Sequence, residues 1–391
     1  MKNNILLNLL LIISSTFSFA QKSNLLHEKS IVIDAHNDVL SDQIGKGFDI
    51  GKRQTTGNFD LVRAKKGGLD AQVFSIWCMD LGKGKAFARA NREIDSLYSA
   101  IHRHPDKIVL VKNADDLRKA VKQNKLAALI GVEGGHMIED RLDYLDSLGK
   151  RGMIYLTLTW NNSTSWATSA WDETRKKDSL SHLGLTEFGK QVVHRLNQNG
   201  IMVDVSHVGE RTFYDVLATS KKPVIASHSC AYSLNPHSRN LKDEQLKALA
   251  KNGGVVCVNF YSGFVDPAYY RRESEFIKEH QSEYDSLTAK GHDEFYAKIK
   301  IFDIHKSGFD SIRPPLNMLV RHIDYIAKLV GVDHVGLGAD FDGAESYPLQ
   351  MDDVSYYPYL TAELVKLGYS NVDIKKILGE NFLRVLTANR E

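Results

Sequence analysis

The sequence predicts an α/β fold in which eight parallel strands close into a single barrel, with helices packed around it. Short apolar runs, which indicate buried strands, alternate with segments of helical periodicity along the whole chain. No short-period repeat and no Gly/Ser-rich linker divides the 391 residues, so one domain is predicted. Polar side chains recur where the apolar runs end, and the active sites of such barrels lie at those ends.

The N-terminus has the pattern of a secretory signal peptide. Lys2 supplies a positive charge, an apolar run covers Ile5–Ile13, and small residues of the kind that a signal peptidase reads occur in Ser18–Ala20. The apolar run is too short for a membrane span, which needs about 20 residues. We therefore predict a signal peptide over 1–20, a mature barrel over 21–391, and export to the periplasm or the medium.

Composition limits the partners and the chemistry. The formal net charge is only +2, which gives no reason to expect nucleic acid or an anionic membrane surface as a partner. The three cysteines form no Cys-x-x-Cys pair, so neither a disulfide scaffold nor a thiolate metal site is predicted. No later segment is apolar enough to cross a bilayer. A metal site in this chain must use histidine and carboxylate ligands.

The predicted strands are short and rich in apolar or β-branched residues. In chain order they are Ile31–Ile33, Ala71–Cys78, Ala127–Gly135, Met153–Thr159, Ile201–His207, Pro223–Ser229, Gly253–Tyr261 and His334–Asp340. Nearly continuous apolar runs of this kind are typical of parallel strands that are buried on both faces.

Helical periodicity fills the gaps between these strands. The predicted helices are Ala86–His104, one that opens at Asn113–Leu117, Arg141–Leu148, Thr186–Asn197, Glu210–Thr219, Lys242–Lys251, Pro314–Leu329 and outer helices between Tyr359 and Thr387. A charged insertion, Glu273–Lys306, precedes the eighth strand; we predict a solvated helical hairpin there, with a lid or a homodimer contact as the alternative. The whole pattern predicts a (β/α)8 barrel of the TIM type with extra C-terminal helices.

Six imidazole and carboxylate side chains stand at the ends of the predicted strands. They are His36, Asp38, Glu133, His207, His228 and Asp340. Because the carboxyl ends of barrel strands meet at one rim, we expect these side chains to converge. Such donors suit zinc-like ions. Asp204 and Asp342 are weaker candidates, which we expect to support the site or its loops.

This set suits a hydrolytic site with two metal ions. The pair after the first strand would hold one ion, His207 and His228 would hold the other, and the two oxygens of Glu133 would bridge them. Paired ions lower the pKa of a bridging water, which makes hydroxide available as a nucleophile. Asp340 is not needed as a ligand and is predicted to carry protons during catalysis.

The order of motifs resembles the membrane dipeptidase (renal dipeptidase) family of zinc metallopeptidases. The motifs are Asp34-Ala35-His36-Asn37-Asp38, Glu133-Gly134-Gly135-His136, Leu185-Thr186-Glu187-Phe188-Gly189, Asp204-Val205-Ser206-His207, Ser227-His228-Ser229, Ser238-Arg239-Asn240 and Gly338-Ala339-Asp340-Phe341-Asp342-Gly343. They run in family order from residue 30 to the C-terminus. The resemblance implies an amidohydrolase-type barrel that binds two zinc ions and hydrolyses small dipeptides.

The resemblance also implies roles for individual residues. The zinc ligands it implies are His36, Asp38, Glu133, His207 and His228, with Glu133 shared between the ions. Asp340 matches the family's proton-transfer carboxylate. Arg239 matches the arginine that pairs with the terminal carboxylate of the substrate, a contact that a guanidinium makes well.

Two positions depart from the family pattern. Family dipeptidases carry a histidine directly after the Leu-Thr-Leu-Thr strand, beside the oxygen that becomes negative in the transition state, whereas Trp160 follows here. Indole donates one hydrogen bond but cannot carry a positive charge or accept a proton. Either Trp160 binds substrate and partly replaces the histidine, or the substrate differs, or the indole only packs the pocket wall. Phe264 stands where tyrosine is expected, which reduces the polar contacts available to substrate.

Two alternatives to dipeptide hydrolysis remain open. A related amidohydrolase could act on lactones or N-acyl amino acids with the same metal pair, and Trp160 favours this alternative. A catalytically silent barrel could instead bind a carboxylate ligand, although such a protein would have no use for Asp340.

Overall fold

The computed structural model describes residues 21–42 and 47–391, and a nearly closed barrel of eight parallel strands lies at its centre. The described strands are β1 Ile33–Asn37, β2 Ala71–Trp77, β3 Ile108–Leu110, β4 Leu126–Glu133, β5 Met153–Thr157, β6 Met202–Asp204, β7 Ile225–Ala226, β8 Val255–Val258 and β9 Val335–Leu337. All except β3 form the barrel in chain order, and β3 pairs beside β4. The predicted (β/α)8 barrel is confirmed.

Hydrogen bonds between β1 and the loop directly after β9 join the two ends of the sheet. The amide of Asp340 donates to the His36 carbonyl over 3.1 Å. The buried Asp34 side chain accepts from the His36 amide over 3.2 Å and from the Ala339 amide over 2.8 Å. The joint of the barrel therefore also sets the backbone at two candidate site residues.

The strand ends differ from the predicted ones. The predicted Ile201–His207 is a strand only over Met202–Asp204. Beyond it the Ser206 amide donates to the Asp204 side chain over 3.0 Å, so it bonds within its own loop instead of to a neighbouring strand. The first strand lies later than predicted, over Ile33–Asn37 instead of Ile31–Ile33, and all five of its residues are buried although three of them are polar.

Helices cover the outside of the barrel. In chain order they are α1 21–28, α2 Val39–Asp42, α3 Leu61–Lys66, α4 Ala86–Arg103, α5 Ala114–Lys122, α6 Leu142–Lys150, α7 Ala170–Arg175, α8 Glu187–Gln198, α9 Glu210–Thr219, α10 Asp243–Lys251, α11 Ser262–Val265, α12 Tyr269–Glu279, α13 Gln281–Ala289, α14 Glu294–Ile304, α15 Lys306–Ile312, α16 Leu316–Val330, α17 Tyr357–Lys366, α18 Asn371–Lys375 and α19 Asn381–Arg390. The last three confirm the predicted C-terminal helices. Their apolar faces are buried, as in α16, where Leu319, Ile323 and Ile326 are inaccessible to solvent.

The charged insertion is a small helical subdomain, and the predicted hairpin is wrong. Four helices, α12 to α15, occupy 269–312. They bury an apolar cluster of their own, which consists of Phe276, Ile301, Phe302 and Phe309. The insertion also reaches the barrel rim, since Nζ of Lys298 lies 3.2 Å from Glu273 and 3.8 Å from Glu345, which follows β9.

The described residues bear on the predicted absence of a membrane span but not on the predicted signal peptide. No described helix has both the length and the apolar composition that a bilayer crossing requires. The predicted signal peptide occupies 1–20, which lies outside the described residues. It stays a prediction, as does the domain boundary at residue 21.

Candidate active site

The five predicted metal ligands meet at the carboxyl ends of the barrel strands. Glu133, the last residue of β4, is 4% exposed and lies between the histidines. Its Oε2 lies 3.4 Å from Nε2 of His36, and Oδ2 of Asp38 lies 3.4 Å from that same nitrogen. Its Oε1 lies 2.8 Å from Nε2 of His207 and 3.5 Å from Nε2 of His228. The two oxygens of one carboxylate thus face two separate groups of donors.

Tyr155 fixes the orientation of the His36 ring. Nδ1 of His36 lies 2.8 Å from the Tyr155 hydroxyl, which donates its own proton to the Ala35 carbonyl over 3.0 Å. The hydroxyl therefore accepts from Nδ1–H, so in the neutral ring the lone pair is on Nε2. Nε2 is the nitrogen that points toward Glu133 and Asp38.

The two later histidines are oriented in the same way. Nδ1 of His228 lies 2.8 Å from Oγ of Ser227, and that hydroxyl donates to Asp204 over 2.6 Å. Nδ1 of His207 lies 3.2 Å from Oδ1 of Asn161. A hydrogen-bond acceptor at Nδ1 leaves the lone pair of Nε2 free to bind a metal ion. Proteins orient metal-binding imidazoles in this way. Asp204 has the supporting position that the sequence predicts.

Asp340 lies on the first-strand side of the cluster. One of its oxygens is within 4.8 Å of donor atoms of both His36 and Asp38, and its Oδ2 accepts a hydrogen bond from Asn259 over 2.9 Å. Burial raises the pKa of Asp340 to about 8, helped by the Asp38 and Glu133 carboxylates and opposed by His36. These surroundings therefore favour uptake of a proton by the Asp340 carboxylate.

The pKa values of Glu133 and the three histidines are shifted by burial and by the opposite charges of their neighbours. Burial alone would raise the pKa of Glu133, but His36 and His207 hold it well below its ordinary value. Burial lowers the pKa of His207 to about 4 and that of His228 well below its usual value. Burial also acts to lower the pKa of His36, but the Tyr155 hydroxyl and the two carboxylates raise it well above the ordinary value. The carboxylates therefore attract positive charge to the His36 side of the site.

Two buried, unpaired atoms between His36 and Asp38 indicate that a cation fits there. Nε2 of His36 and Oδ1 of Asp38 have no hydrogen-bond partner among the described residues, although both are buried. Buried polar atoms are normally paired, because an unpaired one costs about 1–3 kcal/mol. Imidazole nitrogens and carboxylate oxygens are also the donors that zinc prefers when no thiolate is present. The residues present therefore fit a metal site with histidine and carboxylate ligands.

Comparison with known proteins decides the family. The family model for membrane dipeptidase (peptidase family M19) matches residues 20–391. The chain belongs to the membrane dipeptidase family. This confirms the resemblance of the motifs and makes the chain a hydrolase of the metallo-dipeptidase type.

Solved structures of this family are similar over nearly the whole chain. The probable dipeptidase PvdM from Pseudomonas aeruginosa is 26% identical with a TM-score of 0.79, over 95% of this chain and 98% of that one. A metallopeptidase from Rhodobacter sphaeroides is 25% identical with a TM-score of 0.74, over 92% of this chain and 99% of that one. The latter was solved with a phosphinate mimic of the dipeptide L-Ala-D-Ala.

Arg239 lies beside the ligand cluster. It lines a cavity of about 300 Å³ that His207 also lines. The residue is 6% exposed, Nη2 donates to the His228 carbonyl over 3.3 Å, and Nε has no partner among the described residues. The Phe264 ring lies 5.4 Å from the guanidinium. A buried guanidinium with a donor to spare is suited to a carboxylate.

Trp160 belongs to an aromatic wall at the same rim. Its ring centroid lies 5.0 Å from that of Trp77, in an edge-on contact, and 6.4 Å from that of His207. Sequence reasoning did not select Trp77, because its position at the end of an apolar strand is typical of a core residue. The two indoles therefore border the His207 side of the site.

Three residues that orient the site were also missed. Tyr155 and Thr157 lie two residues apart on β5 and therefore face the same side of the strand, so the direction of Tyr155 was readable from strand periodicity. Asn161 and Asn259 lie in rim loops, where no periodicity marks the direction of a side chain. Only the folded rim brings them to His207 and Asp340.

Proposed function

We propose that this protein is a two-zinc dipeptidase that hydrolyses the amide bond of small dipeptides. The observation that carries the proposal is the division of Glu133 between His36 on Oε2 and the two later histidines on Oε1. A carboxylate with donors on both sides is suited to bridge ions about 3.5–4 Å apart. The ligands would be His36, Asp38 and Glu133 for one ion, and Glu133, His207 and His228 for the other.

Metal and protein would divide the chemistry between them. The zinc ions, when bound, supply Lewis acidity to the peptide carbonyl and lower the pKa of water. Asp340 takes a proton from the attacking water at Oδ1 and delivers it to the leaving amine. Asn259 holds the other oxygen, Oδ2, over 2.9 Å, so the carboxyl group keeps one orientation during both transfers.

Arg239 would select the substrate. Arg239 lines the 300 Å³ cavity, which has the volume of a site for a small molecule, and its Nε has no partner among the described residues. A dipeptide with a free terminal carboxylate satisfies that guanidinium, whereas a longer peptide presents a neutral amide there. The L-Ala-D-Ala mimic bound by the Rhodobacter sphaeroides relative supports a substrate of this size.

A substrate panel tests the proposal. Zinc-loaded protein is assayed with dipeptides, with the same dipeptides amidated at the C-terminus, and with lactones and N-acyl amino acids. We expect the free dipeptides to react fastest and amidation to raise KM, because Arg239 loses its carboxylate. Faster turnover of lactones or N-acyl amino acids would replace the dipeptidase assignment. Zinc binding with no turnover of any compound would favour the silent binding barrel.

Trp160 is the observation that favours a different substrate class. If it stands in for an oxyanion donor, Trp160→His should raise kcat for dipeptides, by up to about 10²-fold, the lower end of what such a donor contributes. Trp160→Phe is the matched control, since it keeps an aromatic ring against Trp77 but removes the N–H. Loss of dipeptide turnover in both variants would show that the indole serves this reaction directly.

A further inference from the structure

Three side chains of metal-binding type meet on the helical insertion, outside the candidate active site. His280 joins α12 to α13, Glu283 lies in the first turn of α13, and His305 joins α14 to α15. One donor atom from each lies within 4.8 Å of the other two. The fold therefore brings together residues from two separate helix junctions.

The distances are close to those of a coordination sphere. Nε2 of His305 lies 3.0 Å and 3.1 Å from the two oxygens of Glu283. Nδ1 of His280 lies 4.0 Å from the nearer of these oxygens. Ligand atoms around a tetrahedral zinc ion with bonds of about 2.0–2.1 Å are about 3.3 Å apart. The observed separations lie on either side of that value, and the His280 ring has to turn out of its stack on His305 for both nitrogens to face one ion.

The insertion's own core positions the rings. His280 packs against the Phe276 ring with centroids 4.8 Å apart, and it stacks on His305 with centroids 3.7 Å apart and planes inclined by 11°. A surface ion pair needs only one histidine for one carboxylate. Here two parallel imidazoles turn nitrogens toward the same Glu283, and their side chains are 21% and 29% exposed, so an ion can enter from solvent.

We propose that His280, Glu283 and His305 form a separate binding site for a zinc-like divalent ion, which we call the insertion site. Three protein ligands leave one tetrahedral position for water. The ion ties the α12–α13 junction to the α14–α15 junction and so closes the subdomain around its apolar core. Lys298 of the same subdomain contacts Glu345 at the barrel rim, so the ion also stiffens a segment beside the active site.

Equilibrium dialysis against zinc tests the insertion site on the full-length protein. We expect His305→Ala and Glu283→Gln each to bind one zinc ion fewer per chain than the wild type, with kcat unchanged. The matched control is His292→Ala, which removes another insertion histidine whose ring contacts only Tyr296 among the described aromatic rings. It should keep the wild-type zinc count. Because the readout is a difference, it does not depend on how many ions the active site holds.

Hydrogen exchange supplies a second readout that does not depend on counting ions. Zinc should slow exchange over 281–312 in the wild type and in His292→Ala, but not in His305→Ala. Equal zinc counts in the wild type, His305→Ala and Glu283→Gln at every zinc concentration would overturn the proposal. An equal loss in His292→Ala would do the same, because it would show nonspecific binding to surface histidines.

Discussion

His207 and Asp340 both have a left-handed backbone, with φ of 65° and 62°. Residues other than glycine rarely adopt this conformation, which costs on the order of 1–3 kcal/mol when the surroundings impose it. The loops hold both in place, since the His207 carbonyl accepts from the Ala170 amide over 2.8 Å and the Asp340 amide donates to His36. The loops therefore keep an unfavourable backbone conformation at two residues whose side chains face the site. This indicates that side-chain placement, rather than stability, determines the loop conformation.

The proton-transfer role proposed for Asp340 can be tested by substitution. Asp340→Asn should lower kcat by about 10²–10⁴-fold, the usual contribution of a positioned acid or base, while zinc content stays unchanged. Asp342→Asn is the neighbouring control, because Asp342 accepts from the Asn58 amide over 2.8 Å and serves the loop. An Asp340→Asn variant with near wild-type kcat would remove this residue from the mechanism.

The close packing around Gly343 can also be tested by substitution. A Cβ at this position would lie 2.3 Å from Oδ2 of Asp38 and 2.4 Å from Oδ1 of Asp340, closer than any real contact. Gly343→Ala should therefore displace both carboxylates and reduce zinc affinity and kcat/KM together. In the control Gly149→Ala the new methyl meets only the end of Ile201, at 2.9 Å, and that side chain can move. Equal activity in the two variants would contradict the close packing at Gly343.

At the scale of elements, periodicity predicted the barrel strands because burial on both faces requires continuous apolar runs. It did not find β3, which has only three residues, Ile108–Leu110. The predicted β6 was too long because its apolar pattern continues past Asp204. The pattern cannot show that the Ser206 amide bonds to the Asp204 side chain and so leaves the sheet. The insertion core was not predicted because its buried apolar residues are divided among three short helices, α12, α14 and α15.

The candidate site was more predictable than the insertion, for a physical reason. His36, Glu133 and His228 occupy strand ends, and the topology of a parallel barrel brings strand ends together whatever the side chains are. Which oxygen of Glu133 faces which histidine depends on side-chain rotamers, and no sequence pattern encodes those. The roles of Tyr155 and Asn259 depend on the same packing.

Asp70, directly before β2, makes a prediction about pH. Its Oδ2 accepts from the Val32 amide over 2.9 Å, and burial raises its pKa to about 6. Because this lies above the value of about 3.9 in an unfolded chain, ionisation of Asp70 destabilises the fold as pH rises from about 4 to about 6. Asp70→Asn keeps an acceptor for Val32 without the charge.

Thermal unfolding of both proteins measures this effect. The melting temperature of Asp70→Asn minus that of the wild type should grow as pH rises from about 4 to about 7, and then stay level. A difference that is the same at every pH in this range would show that Asp70 does not titrate in it.

At the scale of the whole molecule, barrel closure and site assembly depend on the same joint. Asp34 bonds β1 to the loop after β9, and that joint carries His36 on one side and Asp340 on the other. Loosening the closure would therefore separate His36 from Asp340. This dependence is why the fold and the candidate function cannot be altered independently at these positions.

We propose that the mature protein begins at Gln21 and is exported. The described chain packs on the barrel soon after this point, since His27 contacts the Thr361 hydroxyl at 2.7 Å and the Gly67 carbonyl at 2.8 Å. N-terminal sequencing of protein from the periplasm or medium should read from Gln21. Exported protein that still begins at Met1 would contradict cleavage.

Anomalous diffraction at the zinc edge, from crystals of zinc-loaded protein, tests the bridging role of Glu133 most directly. We predict two strong peaks about 3.5–4 Å apart, one on each oxygen of Glu133. The first should lie against His36, and the second between His207 and His228. A single peak, or two peaks that do not share Glu133, would contradict the two-metal site.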